Sequence, residues 1–275
     1  METTLNWLLT SIGCIGFFLN LTIIIKVFKK PKRLRKKLDL IIVSLALADI
    51  CFCLGIVTAF LVKLTELDIA EQYLLIYWNL SQGLSFAASL LHIVLISVDR
   101  LIGVVYPLLY RRGYITYGRL SMVLVSLWFT SCLITSTQFW LELIVIDIIV
   151  SVLIAVAFMA ATIIYIIIGK SLCRNMKKLT EDVNQHATLV RRRVRGVCLC
   201  FLLTITFFAC NMPFVIANIY YYITSREWSL SMAYINYFLL TVNCTVDPIF
   251  YCLQPTIGSW FKHFLRTMKP KRTSV

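Results

Sequence analysis

The stretch LSFAASLLHIVLISVDRLIGVVYPLLY, residues 84–110, decides how this chain is to be read. Between Leu84 and Val98 it carries no Asp, Glu, Lys or Arg, and the uncharged run begins upstream at Tyr73. That is enough to cross bilayer hydrocarbon as a helix, which takes roughly 20 mainly apolar residues. Asp99 and Arg100 then stand at one end of the run. An ionisable residue in a membrane segment is expensive and usually functional. Taken alone, this pair also reads as an arginine snorkelling to the headgroups beside its own counter-ion.

Windows of the same kind recur along the chain. Approximate spans fall at Leu5 to Phe28, Leu38 to Leu64, Tyr73 to Tyr106, Leu120 to Leu141, Leu143 to Ile168, Val194 to Ile223 and Leu230 to Leu253. The break between the fourth and the fifth is the weakest, since Trp140-Leu-Glu142 is almost the only polar interruption there. With 60% hydrophobic residues, 15% charged residues and 6 prolines among 275, the chain is too apolar for a soluble domain that must keep its surface wet. After Leu253, residues Ile257, Trp260, Phe261, Phe264 and Leu265 fall at helical spacing with cations between them, as in a helix lying on a membrane surface. No internal repeat occurs, and the tails outside the spans are too short for a second domain. The expected fold is all-α, a seven-transmembrane helix bundle with a short amphipathic C-terminal helix, one domain over residues 1–275.

Charge predicts the orientation. Lys and Arg number eight between Lys26 and Lys37, four from Arg100 to Arg119, four from Lys170 to Lys178, four from Arg191 to Arg195 and five from Lys262 onward, leaving Lys63 and Arg226 on the other side. The positive-inside rule puts the basic loops in the cytoplasm and the N-terminus outside, which needs an odd number of spans and so favours seven over eight. In a soluble protein a net charge of +14 would suggest nucleic acid. Here no nucleic-acid partner is expected, and the basic loops read as topology alone or as contacts to anionic lipid or to a protein partner on that side. Residues Met1 to Asn6 lack the positive region and cleavage site of a secretory signal, so the first span is expected to remain as a signal anchor. The cysteines lie in or beside apolar stretches except Cys173, which makes a disulfide framework or zinc site unexpected.

Asp49 and Asp247 interrupt the second and seventh spans. Asp49 reads either as a neutral carboxyl hydrogen-bonded between helices or as a site for an ion or proton. Pro213 and Pro248 sit inside the last two spans, where a missing amide and a ring clash bend a helix.

Asn20, Leu45-Ala-Leu-Ala-Asp49, Asp99-Arg100-Leu101 followed by Val105-Tyr-Pro-Leu-Leu-Tyr110, Trp128, Phe207-Phe-Ala-Cys210-Asn211-Met-Pro213 and Asn243-Cys-Thr-Val-Asp247-Pro248-Ile-Phe-Tyr251 occur in that order, in six of the spans. The set resembles the signature of the rhodopsin-like (class A) G protein-coupled receptors. That family carries an Asn, Leu-Ala-x-x-Asp, Asp-Arg-Tyr with Pro-Leu-x-Tyr, a central Trp, Phe-x-x-x-Cys-Trp-x-Pro and Asn-Pro-x-x-Tyr. Leu101 departs from the Tyr, Asn211 from the Trp and Asp247 from the Asn. Ala157 departs from a fifth-span Pro, and Leu75 stands where the family usually bonds a Cys to its second outer loop. These losses and a very short second outer loop are similar to the melanocortin receptors, and in part to the lysophospholipid and cannabinoid receptors.

The resemblance implies a plasma-membrane, multi-pass receptor with an extracellular N-terminus, coupling a ligand to heterotrimeric G proteins. Asp99 would hold Arg100 at rest, and Tyr165 and Tyr251 would turn toward Arg100 in the active state. Phe207 and Leu90 would form the core that rearranges, with Pro213 and Pro248 bending the moving helices. Asp49, Ser89, Asn243 and Asp247 would surround a water pocket that in this family holds a sodium ion, or two of these acids would share a proton; no other cofactor is expected. Gln82, 18 residues before Arg100, takes the place where amine receptors carry an Asp, which disfavours an amine. Phe86, Asn211, Phe214, Asn218 and Tyr237 would line the rest of the outer cleft and suit a lipid or a short peptide, unless they serve interhelical packing alone.

Two other classes compete. Intramembrane Asp49 and Asp247 beside two proline-broken helices would also suit a proton- or ion-coupled transporter, although inverted repeats are missing. A receptor-like decoy would explain Leu101 and Asn211. An enzyme is not expected, because His92, His186 and His263 are scattered and no catalytic grouping surrounds them.

Overall fold

A computed structural model of the chain describes residues 2–31, 37–65, 71–112, 116–179, 186–224 and 230–267. They form eight α-helices, α1 (Glu2–Lys29), α2 (Lys37–Thr65), α3 (Glu71–Val105), α4 (Pro107–Arg111), α5 (Tyr117–Ser136), α6 (Leu143–Leu179), α7 (His186–Thr224) and α8 (Leu230–Thr267), with a 3-10 turn at Thr137–Phe139. No strand occurs among the described residues. Spans one to three are α1 to α3, and spans four to seven are α5 to α8.

Local chemistry sets the breaks. Pro107 brings no amide to the α3 ladder and opens the short α4 instead. Thr116 caps α5, its hydroxyl accepting from the Arg119 amide at 3.2 Å. The boundary between the fourth and fifth spans falls at Trp140, Leu141 and Glu142, with Trp140 the most exposed large apolar side chain among the described residues at 84%.

Six helices, α1, α2, α3, α5 (with its 3-10 turn), α6 and α7, are long and apolar enough to cross a membrane. The seventh span, α8, falls outside that set because Asn236, Asn243, Asp247 and Pro248 dilute it. These polar side chains face the bundle, where Asn236, Asn243 and Asp247 are buried. Conversely, only 22% of the most apolar window of α6 is buried, and Phe18, Val125 and Phe129 are about two-thirds exposed. Faces as apolar as a core but pointing outward need hydrocarbon as their solvent.

The α3 helix is the hub, packed on α2, α5, α6 and α7, while α1 closes against α2 and α8. The largest core runs through Leu45, Leu90, Ile93, Ile96, Leu203 and Phe207. The α8 assignment continues through Thr267, so the expected amphipathic segment shares one helix with the seventh span. Its side chains from Gln254 onward lie outside the described residues.

Candidate functional site: a polar column through the bundle

At the basic end, Arg100 donates from Nε to Asp99 Oδ2 at 3.0 Å, and its Nη2 bonds the same oxygen. Tyr110 from α4 donates to the other carboxylate oxygen at 3.3 Å, and Lys37 Nζ lies 5.6 Å from the Tyr110 ring centre. A Cβ on Gly196 of α7 would stand 2.8 Å from Arg100 Nη1, so the sixth span approaches as closely as the lack of a side chain permits. Neither Tyr165 nor Tyr251 bonds Arg100. The Tyr165 hydroxyl lies 3.1 Å from Thr204 Oγ1. Tyr251 donates to Asp39 Oδ1 at 2.8 Å and accepts from Lys30 Nζ at 2.7 Å, while Lys30 reaches the same Asp39 oxygen at 3.1 Å.

Midway along the bundle, Asp49 is fully buried and neither carboxylate oxygen has a hydrogen-bond partner. Asp247 Oδ1 and Asn243 Oδ1 are buried without partners as well, and the hydroxyl of Ser89 and thiol of Cys244 flank Asp49. A small void of ≈ 10 Å³ is lined by Asn20, Asp49, Asp247 and Tyr251 among others. Orphaned buried oxygens are costly unless water, a proton or a cation satisfies them. The carboxylates of Asp49 and Asp247 border this void and are donors of the kind a hard cation takes, whereas Ser89 and Asn243 line the larger cavity beyond it; no cluster of three or more His, Cys, Asp or Glu suited to a metal occurs among the described residues.

At the far end lies a cavity of ≈ 240 Å³ between α2, α3, α6, α7, α8 and the 3-10 turn that follows α5. Gln82, Phe86, Asn211, Phe214 and Tyr237 line it, as do Phe207, Ser89 and Asn243. Asn218 is not among the lining residues; it is buried and donates to Ser151 Oγ at 3.3 Å, joining α7 to α6. Its place one face round from the cavity follows from the azimuth at which α7 packs on α6. Asn211 turns its Nδ2 back to the Phe207 carbonyl at 2.7 Å. Pro213 and Pro248 stand inside α7 and α8 as read from the sequence.

Comparison with known proteins gives the column its relatives. The sequence profile of the 7 transmembrane receptor (rhodopsin family) matches residues 19–145, which include Asn20, Asp49, Asp99-Arg100 and Trp128. The melanocortin receptor 5 of Mus musculus is 24% identical over 260 residues, 89% of this chain and 78% of that receptor. The trissin receptor of Drosophila melanogaster is 32% identical over 133 residues, 48% of this chain, and the match spans only 20% of that receptor's length. Over these stretches the chain is similar to rhodopsin-like seven-transmembrane receptors. These are receptors and not enzymes, and they cross the membrane several times.

Set beside the rhodopsin-like pattern, the departures of this chain acquire local explanations. Leu101, in place of the tyrosine, packs on the apolar cluster of Val104, Ile168 and Val197 that joins α3 to α6 and α7. All ten cysteines are free, so the usual link to the second outer loop is missing. Asn20 instead ties the first span to the last, donating to the Cys244 carbonyl at 2.8 Å and to the Gly16 carbonyl at 3.0 Å.

Several polar residues of the column escaped the sequence reading. His92 is fully buried, with Nε2 2.7 Å from Ser44 Oγ, and Trp128 Nε1 donates to the same hydroxyl at 2.9 Å. One serine thus ties α2, α3 and α5 together. Lys30 falls in a run of cations and Asp39 at the edge of the second span, and no spacing along the chain links either to Tyr251. Asp147, Gln138, Trp78 and Asn236 line the far cavity but belong to no recognisable motif.

Proposed function

We propose that the chain is a plasma-membrane receptor, N-terminus outside, that reports occupancy of the far cavity to heterotrimeric G proteins at the basic, cytoplasmic end. The observation that carries this reading is the position of Phe207. It lines the cavity, stacks on Phe86 with ring centres 6.3 Å apart, and is buried in the same cluster as Leu90, Ile93 and Ile96 of α3. A ligand that shifts Phe207 must repack α7 against the helix that ends in Asp99-Arg100. Packed cores have discrete arrangements, so such a shift biases two states and is not absorbed gradually. With Tyr165 and Tyr251 held away from Arg100, the arrangement is that of a resting receptor.

A sodium ion among Asp49, Ser89, Asn243 and Asp247 would offset one of the two buried carboxylate charges, with a proton held on the other acid, and favour that resting arrangement. The cavity lining of aromatic rings and amides supports a short peptide or lipid-like ligand.

The test is G protein activation in cells, constitutive and ligand-screened, comparing the intact chain with Arg100→Ala at equal surface expression. Loss of at least about tenfold in the variant, roughly 1.4 kcal/mol of coupling, is expected. Undiminished signalling would sink the assignment of Arg100. A proton or cation current that depends on Asp49, with no G protein signal, would replace the receptor reading with transport.

A further inference from the structure

The far cavity contains one charged side chain among its described lining residues. Asp147, near the start of α6, stands there beside Ile146 and Val150 and makes no hydrogen bond or ion pair among the described residues. Three amide atoms around the same cavity also lack partners, Gln82 Nε2, Gln138 Oε1 and Asn236 Oδ1, and Asn236 is only 4% exposed. The rest of the wall is mainly apolar and aromatic, with Phe86, Phe214, Trp78 and Tyr237 prominent.

A carboxylate held against such a wall loses hydration without gaining a protein partner, and an arriving cation restores the balance. Attraction between opposite charges grows as water is displaced, and aromatic faces add to it for an ammonium or guanidinium. The orphan oxygens of Asn236 and Gln138 can accept N–H donors, while Gln82 Nε2 can donate to a carbonyl.

We propose that the ligand of this cavity carries a positive charge, an ammonium or guanidinium, that pairs with Asp147 while its apolar body lies against Phe86 and Phe214. The inference rests on the receptor reading for its biological sense, but the binding chemistry stands on the cavity. Gln82 removes the acid from the third span, and Asp147 supplies one across the cavity from the fifth. Both a small organic amine and the basic side chain of a short peptide have this chemistry.

The experiment uses the full chain purified in lipid nanodiscs, with thermal melting as the readout. The probes are phenethylammonium, Nα-acetylarginine ethyl ester and Nα-acetylated, amidated Phe-Arg and Arg-Trp dipeptides at millimolar concentration, each beside a neutral counterpart in which the amine is acetylated or arginine is replaced by citrulline. At least one cation is expected to raise the melting temperature by two degrees or more. Its neutral counterpart should not, and Asp147→Asn should abolish the shift while the unliganded variant melts as the parent does. Response to the amine alone points to the small-molecule source, and response to the dipeptides alone points to the peptide. A shift that survives Asp147→Asn, equal shifts from neutral counterparts, or no shift from any cation overturns the proposal. Arg100→Ala should keep the melting shift and lose the signal, so failure of the receptor reading is distinguishable from failure of the cation site.

Discussion

The two ends of the bundle treat polar side chains in opposite ways. At the basic end nearly every buried polar group described above is engaged: Asp99 with Arg100 and Tyr110, Tyr251 with Lys30 and Asp39, and Ser44 with His92 and Trp128. From the middle outward the orphans collect, on Asp49, Asp247 and Asn243 first and on Gln82, Gln138 and Asn236 around the cavity. A satisfied network holds one arrangement, whereas an unsatisfied one waits for an occupant. The difference teaches that one end is built to keep a state and the other to receive something that changes it.

Phe207 joins the two regions, so its removal is expected to have the largest effect. Phe207→Ala deletes a fully buried ring, a change that costs about 3–5 kcal/mol in cores that relax only partly. It should lower the melting temperature of the purified protein by several degrees and uncouple cavity occupancy from signalling. A variant that melts normally and still signals would mean that the ends communicate by another route.

The next test addresses the central orphans. Asp49→Asn with Asp247→Asn removes two uncompensated acids from an apolar interior, where an unpaired carboxylate is costlier to bury than an amide of the same shape. In N-methylglucamine chloride the double variant should melt no lower than the parent. Sodium chloride should raise the melting temperature of the parent alone, and equal sodium response in both would remove the ion from these four residues.

Ser44→Ala probes the satisfied end. It leaves His92 Nε2 and Trp128 Nε1 without their common partner, each in a site where an unmet polar group costs about 1–3 kcal/mol. A clear fall in melting temperature is expected, with little change in sodium response. Equal stability would show that water replaces the hydroxyl and that the contrast between the ends is shallower than the hydrogen bonds suggest.

What could be read from the sequence follows from what each signal measures. Apolar windows report the solvent around a helix, and they mark all seven long helices because lipid leaves so little freedom there. The same signal stops at the membrane surface, which is why α6 continues past Ile168 to Leu179 and α7 begins at His186 and not at Val194. Asp99-Arg100 was legible because its partners are neighbours in sequence. Ser44 with His92, or Tyr251 with Lys30, meet across helices at azimuths fixed by packing, and no spacing rule along one helix reports them. Asp147 falls inside the fifth apolar window, and only the packing of the other helices encloses a cavity beside it.

The smallest stability change and the most selective functional one belong to Lys30. Its side chain is 33% exposed and its pair with Asp39 is partly solvated, so Lys30→Met should alter stability by no more than about 1 kcal/mol. Tyr251, however, loses the donor 2.7 Å from its hydroxyl and keeps only Asp39. If the network at the basic end holds the resting state, a small bias of this kind releases Tyr251 toward Arg100 and raises constitutive signalling, about fivefold for 1 kcal/mol of differential stabilisation. The measurement is basal G protein activation at matched surface expression, with Tyr251→Phe as companion. That variant removes the hydroxyl itself, so it should lose the resting hold as well as any contact the hydroxyl makes when active. A rise in Lys30→Met that is absent in Tyr251→Phe therefore assigns the hydroxyl to both states. No rise in either variant would mean that the pairing at the basic end merely solvates its charges, and that the resting state is held by the core around Phe207 alone.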